Sequence, residues 1–454
     1  MSRALCWIRR DLRLHDHAAL AMATTAAREV AVVFVYDTVI LDTLPDKADR
    51  RVTFIHQSLE EIDERLRQYG SRLVAVIGDP AVEIPRLARS WGAKAVFAAH
   101  DDDPYALPRD ARVGAEVELV TVKDHVVFER QEVLNQSGLP FRVFTPYSKA
   151  WKQRLTPEDI REHVPDMTRL SPTPPGTGNL SMKDIGFEPT SLWLKPGATG
   201  AAERLAWFLG QIDDYADRRD FPGVEGTSGL SVHLRFGTVS VRECTKAAMS
   251  RDSKGAAKWL DELIWREFYH MLLANFPSVT TTTFQEQYSS LRWPGTKADF
   301  DAWCAGQTGY PLVDAAMRCL NATGWMHNRL RMVCAMFLTK DLLCDYRWGE
   351  AYFAEKLLDF DLASNNGGWQ WSASTGADAQ PYFRVFNPVL QSRKFDSNGA
   401  FIRQWVPELA GLSDDEVHWP HDGLFAPEGY PPPLVDHREQ AAKAVDLFRT
   451  HQPR

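Results

Sequence analysis

The stretch SNNGGWQWSAS, residues 364 to 374, sets two Asn, two Gly and two Trp within eleven positions. Asn and Gly are poor helix formers, and an indole is costly to place unless something holds it. Neither a core nor an ordinary loop needs two indoles and two amides beside a bare glycine backbone. Two acids, Asp359 and Asp361, stand just upstream, with a surface-loop role as the competing reading of each.

Similar groups recur earlier in the chain. In WLDELIWREFYHMLL a helical rotation of about 100° per residue gathers Leu260, Leu263, Ile264, Phe268, Met271 and Leu272 on one arc. The opposite arc carries Trp259, Glu262, Trp265, Arg266 and Tyr269, where a solvent face would show Lys, Glu and Gln. That face is either a second buried surface or the wall of an aromatic-lined pocket. In TGWMHNRLRMVCAMFLTKDLL, Thr323 is expected to cap a helix whose core stripe is Met326, Leu330, Val333 and Phe337. Trp325, Asn328, Arg331 and Met332 share another face of it. A buried Arg needs a partner, so this face calls for an acid or a ligand.

Gly223, Gly226, Thr227, Ser228 and Ser231 precede a helical stretch, an arrangement suited to cradling a pyrophosphate with backbone N–H groups. Taken alone, a plain capped turn explains it better. Arg218, Arg219, Arg329, Arg384, Arg393, Lys394 and Arg403 are interleaved with aromatics, notably in PYFRVFNPVLQSRKFD. Such a rim suits a nucleic-acid groove that takes bases out of the stack, with ion-paired surface charges as the alternative. Hydrolytic motifs are absent: there is no G-x-S-x-G, H-E-x-x-H or Walker loop, and no metal site is expected. His15, His17 and His327 read as packing or hydrogen-bonding residues.

The elements that must position these residues fall into three stretches. Residues 1–127 alternate apolar strands (4–8, 31–36, 73–77, 95–99, 117–122) with helical segments, the pattern of a parallel sheet covered on both faces. Gly78-Asp79-Pro80 lacks the glycines of a dinucleotide loop and reads as a turn. Residues 128–200 form a linker, richest in Pro, Gly, Ser and Thr over 156–199. Residues 201–454 show helical patterns without strand signals. The fold class expected is therefore α/β plus all-α.

Composition narrows the function class. The 454 residues are 44% hydrophobic and 25% charged, as in ordinary globular proteins. A formal charge of -8 argues against indiscriminate nucleic-acid binding while leaving room for a local basic patch. The longest apolar run, residues 30–36, falls far short of the about 20 residues of a membrane span, and the early charges do not suit a signal peptide. Six Cys without C-x-x-C spacing read as reduced thiols, so a cytoplasmic protein is expected.

Taken together, WIRRDLRLHDHAAL, VFTPYSKAW, RRDFPGVEGTSGLS, ELIWREFYH, TGYPLVDAAMRCLNATGWMHNRLRM, DLASNNGGWQW and PYFRVFNP closely resemble the photolyase/cryptochrome family, specifically class I cyclobutane pyrimidine dimer photolyases. The resemblance runs over nearly the whole chain and is weakest in the linker and the last 40 residues. It implies an N-terminal Rossmann-like domain and a helical domain holding FAD, active as FADH−. By motif position, Tyr215, Thr227, Ser228 and Ser231 hold the phosphate and ribityl side. Trp259, Arg266, Trp325, Arg331, Asp359, Asp361 and Asn365 surround the flavin, with Asn328 beside them and Asn365 facing N5. The implied reaction is light-driven electron transfer to a flipped-out dimer in ultraviolet-damaged DNA by a monomeric enzyme. Glu262 would hydrogen-bond the pyrimidine edge, Asn328 and Met332 would touch the dimer, and Trp265 and Trp371 would wedge it. Arg219, Arg329, Arg384 and Lys394 would grip the backbone.

This chain departs from the family pattern twice. The flavin-reducing relay of three tryptophans is matched by Trp369 and Trp293, but its middle position is Tyr346, with Trp348 as a stand-in two residues on. A tyrosine is harder to oxidise without losing its proton, so the relay should slow or reroute. Folate-binding relatives carry Asn-Glu where this chain has Tyr105-Ala106, which favours a deazaflavin or flavin antenna, or none, over methenyltetrahydrofolate. The competing function on the same fold is a blue-light photoreceptor, which would bring a C-terminal extension and another residue at 365. A (6-4) photolyase would carry His near Asn328 and Met332.

Overall fold

Five short strands, β1 (Arg3–Trp7), β2 (Glu29–Asp37), β3 (Val74–Gly78), β4 (Ala95–Ala99) and β5 (Leu119–Val122), form one parallel sheet in the order β3-β2-β1-β4-β5. Register runs Leu5 to Ala31 and Leu5 to Val96, so the chain grows outward on one side of β1 and then on the other. Side chains alternate across the sheet. Leu5, Trp7, Ala31, Val33 and Val35 share a core with Ile84, Leu87, Ala88 and Trp91. The intervening Ala4, Cys6, Val30, Val32 and Phe34 are buried as well, which is why these strands read as unbroken apolar runs.

The crossovers are α1 (Ala18–Ala26), α2 (Arg50–Gln68), α3 (Pro80–Trp91) and α4 (Ala106–Glu116). The turn at Gly78-Asp79-Pro80 starts α3: Asp79 accepts from Ala81 N, and Pro80 opens the first turn. Gly92 ends it at φ 71°, where a side chain would be strained.

The computed structural model describes residues 1–176, 178–423 and 427–451. They pack as two units, one of Met1–Leu134, Lys149–Ile212 and Ser228–Ala274, the other of Asn135–Ser148, Asp213–Thr227 and Asn275–Arg454. The long helix α5 (Lys254–Asn275) thus packs almost wholly within the first unit, with the sheet. The second unit is helical among its described residues, and the fold class is the expected α/β plus all-α. Its elements include α6 (Lys297–Ala305), α7 (Pro311–Thr323), α8 (Asn328–Met336), α9 (Tyr346–Lys356) and α10 (Leu362–Ala373).

Two local expectations are corrected. Thr323 does not cap α8; it is the last residue of α7, which ends at Gly324 with φ 72°. The cap is His327, whose Nδ1 accepts from Arg329 N at 3.1 Å. The stripe Met326, Leu330, Val333 and Phe337 is buried as expected, but α8 passes into a π-helical turn, Phe337–Asp341. In α5, Trp259 is buried with the core at 3% exposure, and the wholly buried Glu267 joins Leu263 and Met271 on the apolar stripe.

The SNNGGWQWSAS stretch is helical in α10 despite its composition. Asp361 caps it by accepting from Ser364 N at 3.0 Å. Its amides reach outward: Asn366 Nδ2 donates to Val279 O and to Glu350 Oε1, and Gln370 Nε2 donates to Val279 O and Thr282 O. Tertiary hydrogen bonds therefore overrule propensity here.

Candidate functional site

In the first unit α5 presents Glu262, Trp265 and Arg266 half-buried. Trp265 packs edge-on to Phe268 and tilted against Tyr269, with centroids 5.7 and 5.6 Å away. Glu262 pairs with Lys258 one turn back at 3.2 Å. Arg266 donates to the His125 carbonyl at 2.7 Å. Trp259 stands edge-on to Phe208 at 4.9 Å. Glu267, next to Arg266, accepts from Val127 N, Phe128 N and Trp151 Nε1 at 2.7, 2.7 and 2.5 Å. Burial pushes its carboxyl up to about 7, against three donors that favour the anion. Arg266 and Glu267 thus hold residues 125–128 onto α5, which fixes the face that Glu262 and Trp265 occupy.

The glycine and hydroxyl run is less regular than a simple anion cradle. The Ser228 carbonyl accepts from Arg204 Nε at 2.6 Å, Ser228 Oγ accepts from Leu230 N, and Gly229 turns at φ 64°. Ser231 opens a short helix, Ser231–Phe236, that has no side-chain cap. Within the second unit, Tyr215 is buried beneath Arg219, whose guanidinium lies 5.3 Å from its ring, and Thr227 is half-buried. A Cβ at Gly226 would meet Arg218 O at 2.7 Å, so that backbone approach requires glycine.

The second unit also brings Arg331 and Asp359 together. Arg331 Nη2 donates to Asp359 Oδ2 at 2.8 Å while its Nε donates to Met326 O. Asp359 is buried, and its other oxygen, Oδ1, has no hydrogen-bond partner among the described residues. An unsatisfied buried carboxylate oxygen is costly unless a donor reaches it. Trp325 and Met332 are half-buried, Asn328 is exposed at the start of α8, and Asp361 is buried as the α10 cap. Asn365 Nδ2 donates to the Glu350 carbonyl at 3.0 Å, which leaves its amide oxygen to offer a ligand. Burial pushes Glu350 itself up to about 7.

On α10, Trp369 is buried and Trp371 half-buried. Trp369 packs against Gly349 of α9, where a Cβ would come within 2.0 Å of its ring. Tyr346 is buried, Trp348 is 39% exposed, and Trp293 stands edge-on to Phe448 at 5.9 Å. Of the basic residues, Arg329 pairs with Asp220 at 2.9 Å and covers Phe395 at 4.4 Å. Arg384 and Lys394 are exposed, with Lys394 5.1 Å from the Phe395 ring.

His327 is a hydrogen-bonding residue, as expected; the sequence reading passed over Glu267, Glu350 and Asn366. Only Glu267 announced itself there, as a charge on an apolar stripe midway between Leu263 and Met271.

Comparison with known proteins gives these parts a common setting. Residues 4–168 match the DNA photolyase family and residues 259–450 match the FAD binding domain of DNA photolyase. A deoxyribodipyrimidine photo-lyase of a Synechococcus species is 38% identical, with 97% of this chain and 96% of that protein covered. A bacterial class III photolyase from Agrobacterium tumefaciens superposes with a TM-score of 0.90 at 31% identity, covering 99% of this chain and 98% of that one. An archaeal photolyase from Sulfolobus tokodaii, solved with two FAD molecules, gives a TM-score of 0.85 at 31% identity over 99% and 100% of the two chains. With both family profiles matched and full-length relatives above 30% identity, the chain belongs to the photolyase/cryptochrome family.

Proposed function

We propose that this chain is a light-dependent DNA repair enzyme that splits cyclobutane pyrimidine dimers by electron transfer. The observation that carries the reading is Asp359: a buried carboxylate, held by Arg331, keeps one oxygen for a donor that the described residues do not supply. A flavin ring N–H fits that need, and the amide oxygen of Asn365 offers a second acceptor. Bound in its reduced form, FAD supplies an electron donor that light can excite.

The chain's own residues bind, orient and polarise. Arg331 would set a positive charge beside a bound flavin, and Asp359 would accept from its N–H edge. Tyr215, Thr227, Ser228 and Ser231 hold the phosphates and ribityl chain; Trp259, Arg266, Trp325 and Asp361 enclose the cofactor, Asp361 also as the α10 cap. Glu262 hydrogen-bonds the pyrimidine edge and steadies the negative charge that develops there, an electrostatic role set before reaction. Asn328 and Met332 touch the dimer, and Trp265 and Trp371 wedge it in its flipped-out position. Arg219, Arg384 and Lys394 meet the phosphates, with Arg329 able to join them once it leaves Asp220. Trp369 is the inner member of the relay that returns the flavin to its reduced state.

The partner is ultraviolet-damaged DNA, met by a monomer in the cytoplasm, where the six free cysteines stay reduced. No helix among the described residues is long and apolar enough to cross a membrane. The photoreceptor alternative has weaker support, because relatives matching over nearly the full chain are named photo-lyases. For the antenna we favour a deazaflavin or flavin over methenyltetrahydrofolate.

Replacing Glu262 tests the assignment. Glu262→Ala should lower light-dependent dimer cleavage by about 100-fold while FAD content stays that of the parent. Unchanged cleavage would remove Glu262 from the reaction.

A further inference from the structure

Two routes to Trp369 come into question within the second unit. The family pattern assigns one of them to Tyr346 and Trp293. Tyr346 is a poor station. It is 1% exposed, burial pushes its phenol up to about 12, and the Arg347 guanidinium lies 5.4 Å from its ring centroid. A phenol gives up an electron readily only as it sheds its proton, and the side chain hydrogen-bonded to this one, Arg347, is a cation that accepts none. A cation beside the ring further opposes a positive charge on it. Among the described residues no other aromatic ring pairs with that of Tyr346.

The other path is continuous. The Trp303 centroid is 6.0 Å from Trp369, and Phe353 touches both, at 4.9 Å from Trp369 and stacked on Trp303 at 5.9 Å. Beyond Trp303, Phe300 stacks at 5.9 Å with an interplanar angle of 23°, and Trp348 stands edge-on to Phe300 at 5.5 Å. Trp303 is fully buried, while Trp348 is 39% exposed. Trp303 Nε1 donates to the Cys334 carbonyl at 3.2 Å, an acceptor that steadies a positive indole and keeps its proton in place.

We propose that flavin reduction in this chain runs through Trp369, Trp303 and Trp348 and bypasses Tyr346, an inference that rests on the FAD reading above. Each event moves one electron inward. Trp369 gives it to the excited cofactor, Trp303 refills Trp369, and Trp348 refills Trp303 across the Phe300 ring, which serves as a bridge. One positive charge moves outward by the same steps, and no bond breaks. At the surface a soluble thiol reduces Trp348 by one electron and releases its proton to water.

Flash photolysis of the flavin-loaded protein identifies which residue ends as the radical. Trp348→Phe, at an exposed position, should shorten the lifetime of the separated charge by about tenfold or more, as should Trp303→Phe. Tyr346→Phe should leave both lifetime and tryptophanyl spectrum as they are. A tyrosyl spectrum in the parent protein, or a lifetime sensitive to Tyr346→Phe and not to Trp348→Phe, would overturn the route. A flavin-free measurement gives independent access. A water-soluble ruthenium sensitiser should oxidise buried Trp303 by way of Trp348, so peptide mapping should find roughly tenfold less oxidised Trp303 in Trp348→Phe. Equal oxidation in both proteins would also overturn the route. If the parent protein yields no separated charge and Trp369→Phe changes nothing, the FAD reading itself fails.

Discussion

Arg331 and Asp359 meet at 2.8 Å with the carboxylate almost wholly enclosed, so each depends on the other before any ligand arrives. Removing Arg331 strands a buried charge. Arg331→Ala should cost roughly 3 kcal/mol in denaturant unfolding, and Asp359→Asn should recover part of it in the double variant. A second residue sets a pH dependence. Burial pushes His327 from 6.5 down to about 4, with Asp220 opposing the shift. The folded state therefore binds fewer protons than the unfolded chain between those values. Stability is complete above about 6.5 and falls as pH drops toward 4, by roughly 3 kcal/mol in all. His327→Asn keeps a capping acceptor without titrating, so the gap in unfolding free energy between parent and variant should narrow on acidification. A constant gap across that range would contradict the assignment. Arg331 and Asp359 were legible in the sequence because a buried Arg demands an acid. His327 was legible as a packing or hydrogen-bonding residue; Glu350 was not, since its role comes from burial that only tertiary packing creates.

One glycine lets α9 and α10 approach closely. The Trp369 ring occupies the space a side chain at Gly349 would need, 2.0 Å from a Cβ there, with Leu338 close behind. Gly349→Ala should destabilise the protein by about 2 kcal/mol and displace Trp369, readable as a lower melting temperature with altered tryptophan fluorescence. Unaltered fluorescence would mean that the ring finds room elsewhere. At this scale sequence reading does best where one rule dominates. The strands were visible because both faces of the sheet are buried, and α5 because its apolar period is strong. The α7–α8 junction was misread because Thr323 looks like a cap, while Gly324 already ends the preceding helix. The passage into a π-helical turn at Phe337 leaves no mark in an apolar run. α10 breaks propensity outright, and the Asn366 and Gln370 hydrogen bonds that compensate join residues far apart in sequence.

For the whole molecule, the matched FAD-binding and photolyase families and the relatives named photo-lyases point to light-dependent DNA repair. In the α/β part, Tyr105 donates its hydroxyl to Asp37 at 2.5 Å where folate-binding relatives carry an amide and an acid. The absorption spectrum of the purified protein should accordingly show flavin bands without a folate band; a folate band would contradict that reading. That strands give way to helices was legible because the apolar strand runs end at residue 122. The assignment of α5 to the unit that holds the sheet was not, since an amphipathic helix does not record which neighbours cover it. The most direct test of the central claim uses DNA with a single thymine dimer, mixed with protein whose flavin has been chemically reduced. Blue light should restore intact thymines over many turnovers, and the same mixture in the dark should restore none. Dimers that persist under light with the flavin fully reduced would contradict the repair function.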